Sequence, residues 1–176
     1  MANPQVLKVL GTKQTIAALR DFEPEFAKEF NRELREIGNE VQARARSLVP
    51  QSSPLSGWGP GGRVGWRSAD IRAGIGVRLF PPRKRGTVEQ GIIGITSKSP
   101  AGVIYERAGV RKYIKGPRGE AFVNAIEEAG GKSRMRIVGR AVNVNRRQTE
   151  AKIKNVVKRA TDDLQEALDK AGARQV

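Results

Sequence analysis

Two stretches of the chain repeat apolar residues with the period of an α-helix. Between Phe22 and Leu48 the apolar positions advance by three or four residues, and charged side chains occupy the remaining faces. Pro50 ends this pattern because proline disfavours helical backbone in the residue before it. A second apolar stripe runs from Ile153 to Ala171. We therefore predict a long helix near the N-terminus and another at the C-terminus.

Strict alternation replaces the helical period in the middle of the chain. From Ile71 to Leu79 apolar residues alternate with Arg and Gly, which is the pattern of a half-buried strand. Thr87–Thr96, rich in isoleucine, supplies a return strand. Pro81–Gly86 forms the turn between them, so the two strands make a β-hairpin whose tip is cationic.

Shorter patterns complete a predicted α+β fold: a long N-terminal helix and a C-terminal helix pack on a small, mostly antiparallel sheet with a long β-hairpin. The length suits a single domain, 1–176. The Gly- and Pro-rich segment 50–66 predicts a flexible loop, and 172–176 a frayed tail. The remaining predictions are a strand at Val6–Leu10, a short helix at Thr12–Arg20, a helix or strand at 100–109, a basic loop at 110–119, a helix at Glu120–Ala129, and a strand or connector at 135–138.

The amino-acid composition excludes several classes of chemistry. The chain contains neither Cys nor His, which removes disulfides, Ser-His-Asp and Cys-His nucleophiles, and the commonest metal ligands. We expect no enzyme activity, cofactor or metal; catalysis by carboxylates alone is the exception that survives. No apolar run approaches the roughly 20 residues that span a bilayer, and the N-terminus lacks a signal-peptide pattern. We expect a protein made in the cytoplasm, with no membrane partner.

Positive charge is concentrated in one block of the sequence. Residues 61–119 contain 13 Lys and Arg against 3 Asp and Glu, a net charge of +10, out of +15 for the whole chain. Aromatic residues make up 5% of the chain, which predicts a thin, aliphatic core and some stability drawn from contacts between copies. The basic block at 61–119 needs counter-charge from an acidic partner, a nucleic acid or close neighbours.

The order of these elements and three short motifs resemble the tail-completion, or head–tail joining, proteins of long-tailed double-stranded DNA phages. The long helix ends in Ala45-Arg46-Ser47-Leu48-Val49-Pro50, which fits an "A-R-x-x-x-P" pattern. A Ser56-Gly57 loop follows, and Tyr105-Glu106-Arg107-Ala108-Gly109 precedes a closing pair of helices. The resemblance covers nearly the whole chain, although the tyrosine motif is compressed here and the loop carries extra Gly and Pro.

That resemblance implies an α+β fold and a structural role in the virion, at the head–tail junction or in the upper tail. It implies a homo-oligomeric ring, six-fold where a family member meets a tail tube, with adjoining neck and tail-tube proteins as partners. Double-stranded DNA in the lumen is a further non-specific contact. The alternative is a small basic nucleic-acid-binding protein of the cell, since Lys and Arg bind phosphate without reading sequence.

Candidate interaction residues lie mainly in the basic block, and each has a second interpretation. The cationic tip is either a solvated turn or a contact with a neighbouring ring or DNA. The basic loop, with Tyr113, either stacks on single-stranded nucleic acid or is ordered by a partner subunit. Glu106 pairs with a basic residue across a subunit boundary or within the chain, and the tryptophans anchor a partner or cap the core. The predicted interface residues are Trp58, Trp66, Arg83, Lys84, Arg85, Glu106, Arg111 and Lys112; the predicted phosphate contacts are Arg83, Lys84, Arg85, Lys115 and Arg118.

Overall fold

The fold is α+β, as the sequence predicts, with long helices towards both ends of the chain. The computed structural model describes residues 5–7, 24–62, 64–79, 83–85, 88–90, 93–108, 116–130 and 135–172. The elements in chain order are β1 (Gln5–Leu7), α1 (Pro24–Ser47), α2 (Ser68–Ala73), β2 (Ile75–Leu79), β3 (Arg83–Arg85), β4 (Val88–Gln90), β5 (Ile93–Ser97), α3 (Pro100–Arg107), α4 (Pro117–Gly130) and α5 (Val138–Gly172).

Helix α1 confirms the first helical stripe. The residues of its apolar stripe, Phe30, Leu34, Ile37, Val41 and Ala45, are buried, and Leu34 and Ala45 are wholly inaccessible to solvent. The charged faces carry local ion pairs such as Arg32 with Glu29, 2.8 Å apart, which contribute little because both side chains are exposed. Burial of the stripe, rather than these surface pairs, therefore stabilises the helix.

The prediction of one strand from Ile71 to Leu79 is wrong in its first half. Ser68–Ala73 forms helix α2, and the strand starts only at Ile75. A short helix and a strand can both bury Ile71 and Ile75, and both of these side chains are 1% exposed. The alternating pattern over so few residues could not distinguish between the two.

An antiparallel strand pair is present in this part of the chain, but its strands are not the ones predicted. Strand β3 pairs antiparallel with β4, and Arg83 lies opposite Gln90 while Arg85 lies opposite Val88. Arg83, Lys84 and Arg85 are thus strand positions and not the turn. The return strand is also divided into β4 and β5. A second sheet has the strand order β1-β5-β2, so β2 and β5 are neighbours there.

The last helix begins about fifteen residues before its predicted apolar stripe. It starts at Val138, the last residue of the segment predicted as a strand or connector, and 135–137 form a connector that leads into it. Helix α4 likewise starts at Pro117, inside the predicted basic loop, whereas 100–107 resolves as helix α3. The Thr12–Arg20 helix, most of the Val6–Leu10 strand and the last four residues of the tail lie outside the described residues.

The chain divides into two compact units whose segments alternate along the sequence. Unit 1 comprises 1–5, 40–77 and 95–145, and unit 2 comprises 6–39, 78–94 and 146–176. Every boundary between them falls inside a helix or a strand. The main buried cluster of unit 1 contains Trp66, Ile71, Ile75, Tyr105 and Ile126. In unit 2, Phe30, Leu34, Ile153 and Val156 are buried. The prediction of a single domain stays a prediction.

Candidate interaction surface

The end of α1 is tied to the elements that follow it by side chains from its last two turns. Arg46 donates from Nε to the carbonyl oxygen of Arg72 at 3.1 Å and from a terminal nitrogen to that of Ile75 at 3.0 Å. Gln42 donates to the same Ile75 oxygen at 2.7 Å. In return, Arg72 donates to the carbonyl oxygen of Val49 at 3.0 Å. The arginine of the "A-R-x-x-x-P" pattern therefore satisfies carbonyls where α2 ends and β2 begins.

The Gly- and Pro-rich segment after α1 is folded back onto unit 1. The amide of Trp66 donates to the carbonyl oxygen of Gly59 at 2.9 Å, and that of Trp58 to Leu55 at 3.0 Å. The indole of Trp58 donates to the Val64 oxygen at 2.6 Å. Gly62 has a φ of 73°, a conformation that glycine adopts without steric cost. These contacts join residues of the segment to one another, and its flexibility stays a prediction.

Aromatic rings connect this segment to the core. The Trp66 ring lies edge-on to Tyr105 at 5.3 Å between centroids and to Trp58 at 5.2 Å. Trp58 in turn lies 6.1 Å from Phe122 of α4. Edge-to-face pairs at such distances are attractive beyond their buried area. Trp66 is 5% exposed, which corrects its prediction as a partner anchor: it caps the core, the other interpretation given above.

Glu106 and Arg136 join the facing ends of α3 and α5; we call this pair the α3–α5 latch. The Glu106 carboxylate accepts from the amides of Ile137 at 2.6 Å and Gly139 at 2.7 Å, at the N-terminus of α5. Arg136 donates to the carbonyl oxygens of Tyr105 and Ala108, both at 2.8 Å, at the C-terminus of α3. Each charge meets the helix end of opposite dipole sign, which stabilises both ends.

Tyr105 lies between the latch and the tryptophans. The Arg136 guanidinium carbon is 5.4 Å from its ring centroid, within the range of a cation–π contact. Burial raises the pKa of the Tyr105 hydroxyl above its usual value; the positive charge of Arg136 opposes that shift in part. The phenol therefore stays neutral at physiological pH and serves in packing. A β-carbon at Gly130 would overlap its hydroxyl, so glycine lets the end of α4 approach the ring.

An open apolar groove of ≈ 720 Å³ lies between the folded-back segment and α4, within unit 1. Val64 on one side is 49% exposed and Phe122 on the other is 38% exposed. Glu128 adds an acidic group to the lining, and none of the described residues that line the groove is basic. We call this feature the α4 groove. Its other lining residues are Pro54, Leu55, Ser56, Gly57, Trp58, Ile104, Ala125 and Ala129.

The predicted site residues do not form one cluster. Trp58 lines the α4 groove and Trp66 lies in the core behind it. Glu106 accepts from two backbone amides within the chain, and its pairing with a basic loop residue stays a prediction. Arg118 is exposed on the first turn of α4. Arg83, Lys84 and Arg85 are placed only as strand positions, and Arg111, Lys112 and Lys115 lie outside the described residues.

Two surfaces were missed from the sequence. One is the α4 groove, which depends on a segment predicted to be flexible. The other is a cationic face of α5 formed by the exposed side chains of Arg147, Lys154 and Lys158. Their spacing of seven and four residues places them on one side of a helix, and extending the helical prediction back to Val138 would have joined Arg147 to the two lysines. None of the three has an ion-pair partner among the described residues.

The described residues contain no group of three or more acidic side chains placed to hold a metal ion. Among the helices in that part of the chain, none has the length and apolarity required to cross a membrane. The chain matches no known family model, no curated protein and no solved structure.

Proposed function

We propose that this chain is a structural protein of the neck or upper tail of a long-tailed phage, assembled as a ring around the DNA path. Its work is tail completion, head–tail joining or tail termination, and no covalent bond is made or broken. The resemblance in the order of elements supports this proposal. The hydrogen bonds of the motif residue Arg46, at the junction of α1, α2 and β2, support it as well.

The α4 groove is the observation that carries the proposal. A concave and mostly apolar surface is the usual form of a binding site, and apolar side chains exposed in one copy can be covered by a bound partner. The groove is backed by fixed rings, because Trp58 is held by its indole hydrogen bond and by Trp66. A rigid apolar surface of this kind suits a permanent contact between subunits, since little conformational entropy is lost on binding.

Imaging of the particle tests the proposal directly. A copy of the protein carrying a small C-terminal tag, detected with gold-labelled antibody, should place label at the head–tail junction or the upper tail. Particles made without the protein should accumulate as unjoined heads and tails, because the joining surface is missing. Normal infectious particles without it, or label confined to the cytoplasm, would refute the proposal.

The second candidate function, binding of nucleic acid by the free protein, is favoured by the cationic face of α5. Seven Lys and Arg but only one acidic residue occur between Val138 and Ala160, a net charge of +6. Glu150 pairs with Arg146 at 2.8 Å, and Arg159 pairs with Glu33 of α1 at 2.9 Å. Arg147, Lys154 and Lys158 remain available for phosphate. Over two to three helical turns they span about 16 Å.

Salt-dependent binding separates the two candidates. If the α5 face contacts three phosphates, the affinity of one copy for duplex DNA should fall roughly 40-fold between about 50 and 200 mM salt. Replacing Arg147, Lys154 and Lys158 together by Gln should abolish that dependence, measured by fluorescence anisotropy. The matched control replaces Lys28, Arg35 and Arg44, which are exposed on α1, and removes the same charge. Tight binding by single copies favours the nucleic-acid function, whereas weak binding by single copies favours the ring.

A further inference from the structure

Helix α5 bears an apolar side chain that nothing in the described chain covers. Val144 is 65% exposed, the most exposed of the large hydrophobic residues in the described ranges. Arg140, one turn earlier on the same face, is also exposed. We call Arg140 and Val144 the α5 knob. An exposed valine beside an arginine forms a small convex surface that is apolar at one end and positive at the other.

The α5 knob and the α4 groove are opposite in both shape and charge. Val64 and Phe122 give the groove an apolar interior, and Glu128 supplies a negative charge to its lining. Of the four large hydrophobic side chains that are exposed among the described residues, three belong to these two features, and the fourth is Met135. A groove of ≈ 720 Å³ is larger than one valine side chain. It can hold neighbouring side chains of one helix face, including the aliphatic part of an arginine.

We infer that the α5 knob of one copy occupies the α4 groove of the next copy, with Arg140 facing Glu128. The contact rests on the proposed ring and specifies how its subunits meet. Because knob and groove are different surfaces of the same chain, the contact is heterologous, and repetition of a heterologous contact closes a ring when the rotation allows it. Two grooves meeting face to face would bring their acidic residues together and leave both knobs uncovered.

Complementary variants test the contact. Val144→Asp removes the apolar side chain and places an acid against Glu128, while Ala129→Arg fills the groove and repels Arg140. Each variant alone should lose the ring and run as a single copy in size-exclusion chromatography with light scattering. Mixed in equal amounts, they should form a dimer and nothing larger, because the first retains a groove and the second retains a knob.

Matched controls separate this contact from general effects of charge. Asn155→Asp on α5 and Asn124→Arg on α4 introduce the same charges at exposed positions outside the knob and the groove, and both should keep the ring. A ring that survives Val144→Asp, or a mixture of the two variants without dimers, overturns the inference.

A cross-linking experiment extends the test to assembled material. Since the chain contains no Cys, a variant with both Val144→Cys and Ala129→Cys has two unique thiols. A short bis-maleimide should join its copies into a ladder that ends at the ring size, whereas either single variant should not give a ladder. Absence of the ladder overturns the contact. A ladder from a protein that is absent from every phage particle would leave the contact standing and refute the virion role instead.

Discussion

Replacing Trp66 by Ala should destabilise the protein by about 3–5 kcal/mol, the usual cost of truncating a buried aromatic residue. Trp66 is 5% exposed and contacts the rings of both Trp58 and Tyr105. Its loss would leave a cavity and release the folded-back segment, because its indole also donates to the Ser68 hydroxyl at 3.1 Å. Many domains are stable by only about 5–15 kcal/mol, so the variant should lose a large share of its free energy of unfolding.

Chemical denaturation followed by circular dichroism measures this effect. Trp66→Phe should lose less than Trp66→Ala, since a ring remains in the site. Val64→Ala should change the unfolding free energy by less than about 0.5 kcal/mol because Val64 is half exposed. A loss below about 1 kcal/mol for Trp66→Ala would mean that the ring is not part of the core.

The second large effect is expected at Glu106. Glu106→Ala leaves the amides of Ile137 and Gly139 without their acceptor at the start of α5. Hydrogen bonds to a charged group contribute about 1.5–3 kcal/mol, so we expect a loss of about 2–3 kcal/mol in the free energy of unfolding. Glu106→Gln retains one acceptor oxygen without the charge and should lose about half as much.

Thermal and urea unfolding of both variants, with Glu150→Ala as the control, check this prediction. Glu150 also bonds a partner, but its pair with Arg146 is exposed, and such pairs contribute about 0–1 kcal/mol. Amide hydrogen exchange gives a local readout, since loss of the cap should accelerate exchange first at the N-terminus of α5. Equal stability of Glu106→Ala and Glu150→Ala would show that the carboxylate does not act as a cap.

Sequence periodicity was sufficient where burial alone determines the structure. In α1 the apolar stripe between Phe30 and Ala45 coincides with the buried positions, because one continuous face of the helix is shielded from solvent. The same reasoning failed at Ser68–Ala73, where a single helical turn and a strand bury Ile71 equally well. The carbonyl oxygen of Arg72 there accepts from Arg46, 26 residues away, and a local pattern does not contain that information.

The start of α5 and the α4 groove show a second limit of sequence reasoning. The N-terminus of α5 is capped by a carboxylate more than 30 residues earlier in the chain, and the segment from Asn143 to Gln148 is almost entirely polar. No local signal marked it as helical. Likewise, glycine and proline in 50–66 indicate a loop, but not that two tryptophans hold it against the core. Both features depend on contacts between distant segments, which tertiary structure alone reveals.

The alternation of the two units along the chain has a consequence for how the protein is made. Unit 1 lacks its last segment until Asn145 has been synthesised, and unit 2 draws on residues beyond that point. Neither can fold early on the ribosome as an N-terminal domain usually does. The nascent chain therefore exposes α1 side chains such as Leu34 during most of translation. Chaperones that bind emerging apolar segments should raise the yield of this protein more than the yield of a protein whose domains follow one another in sequence.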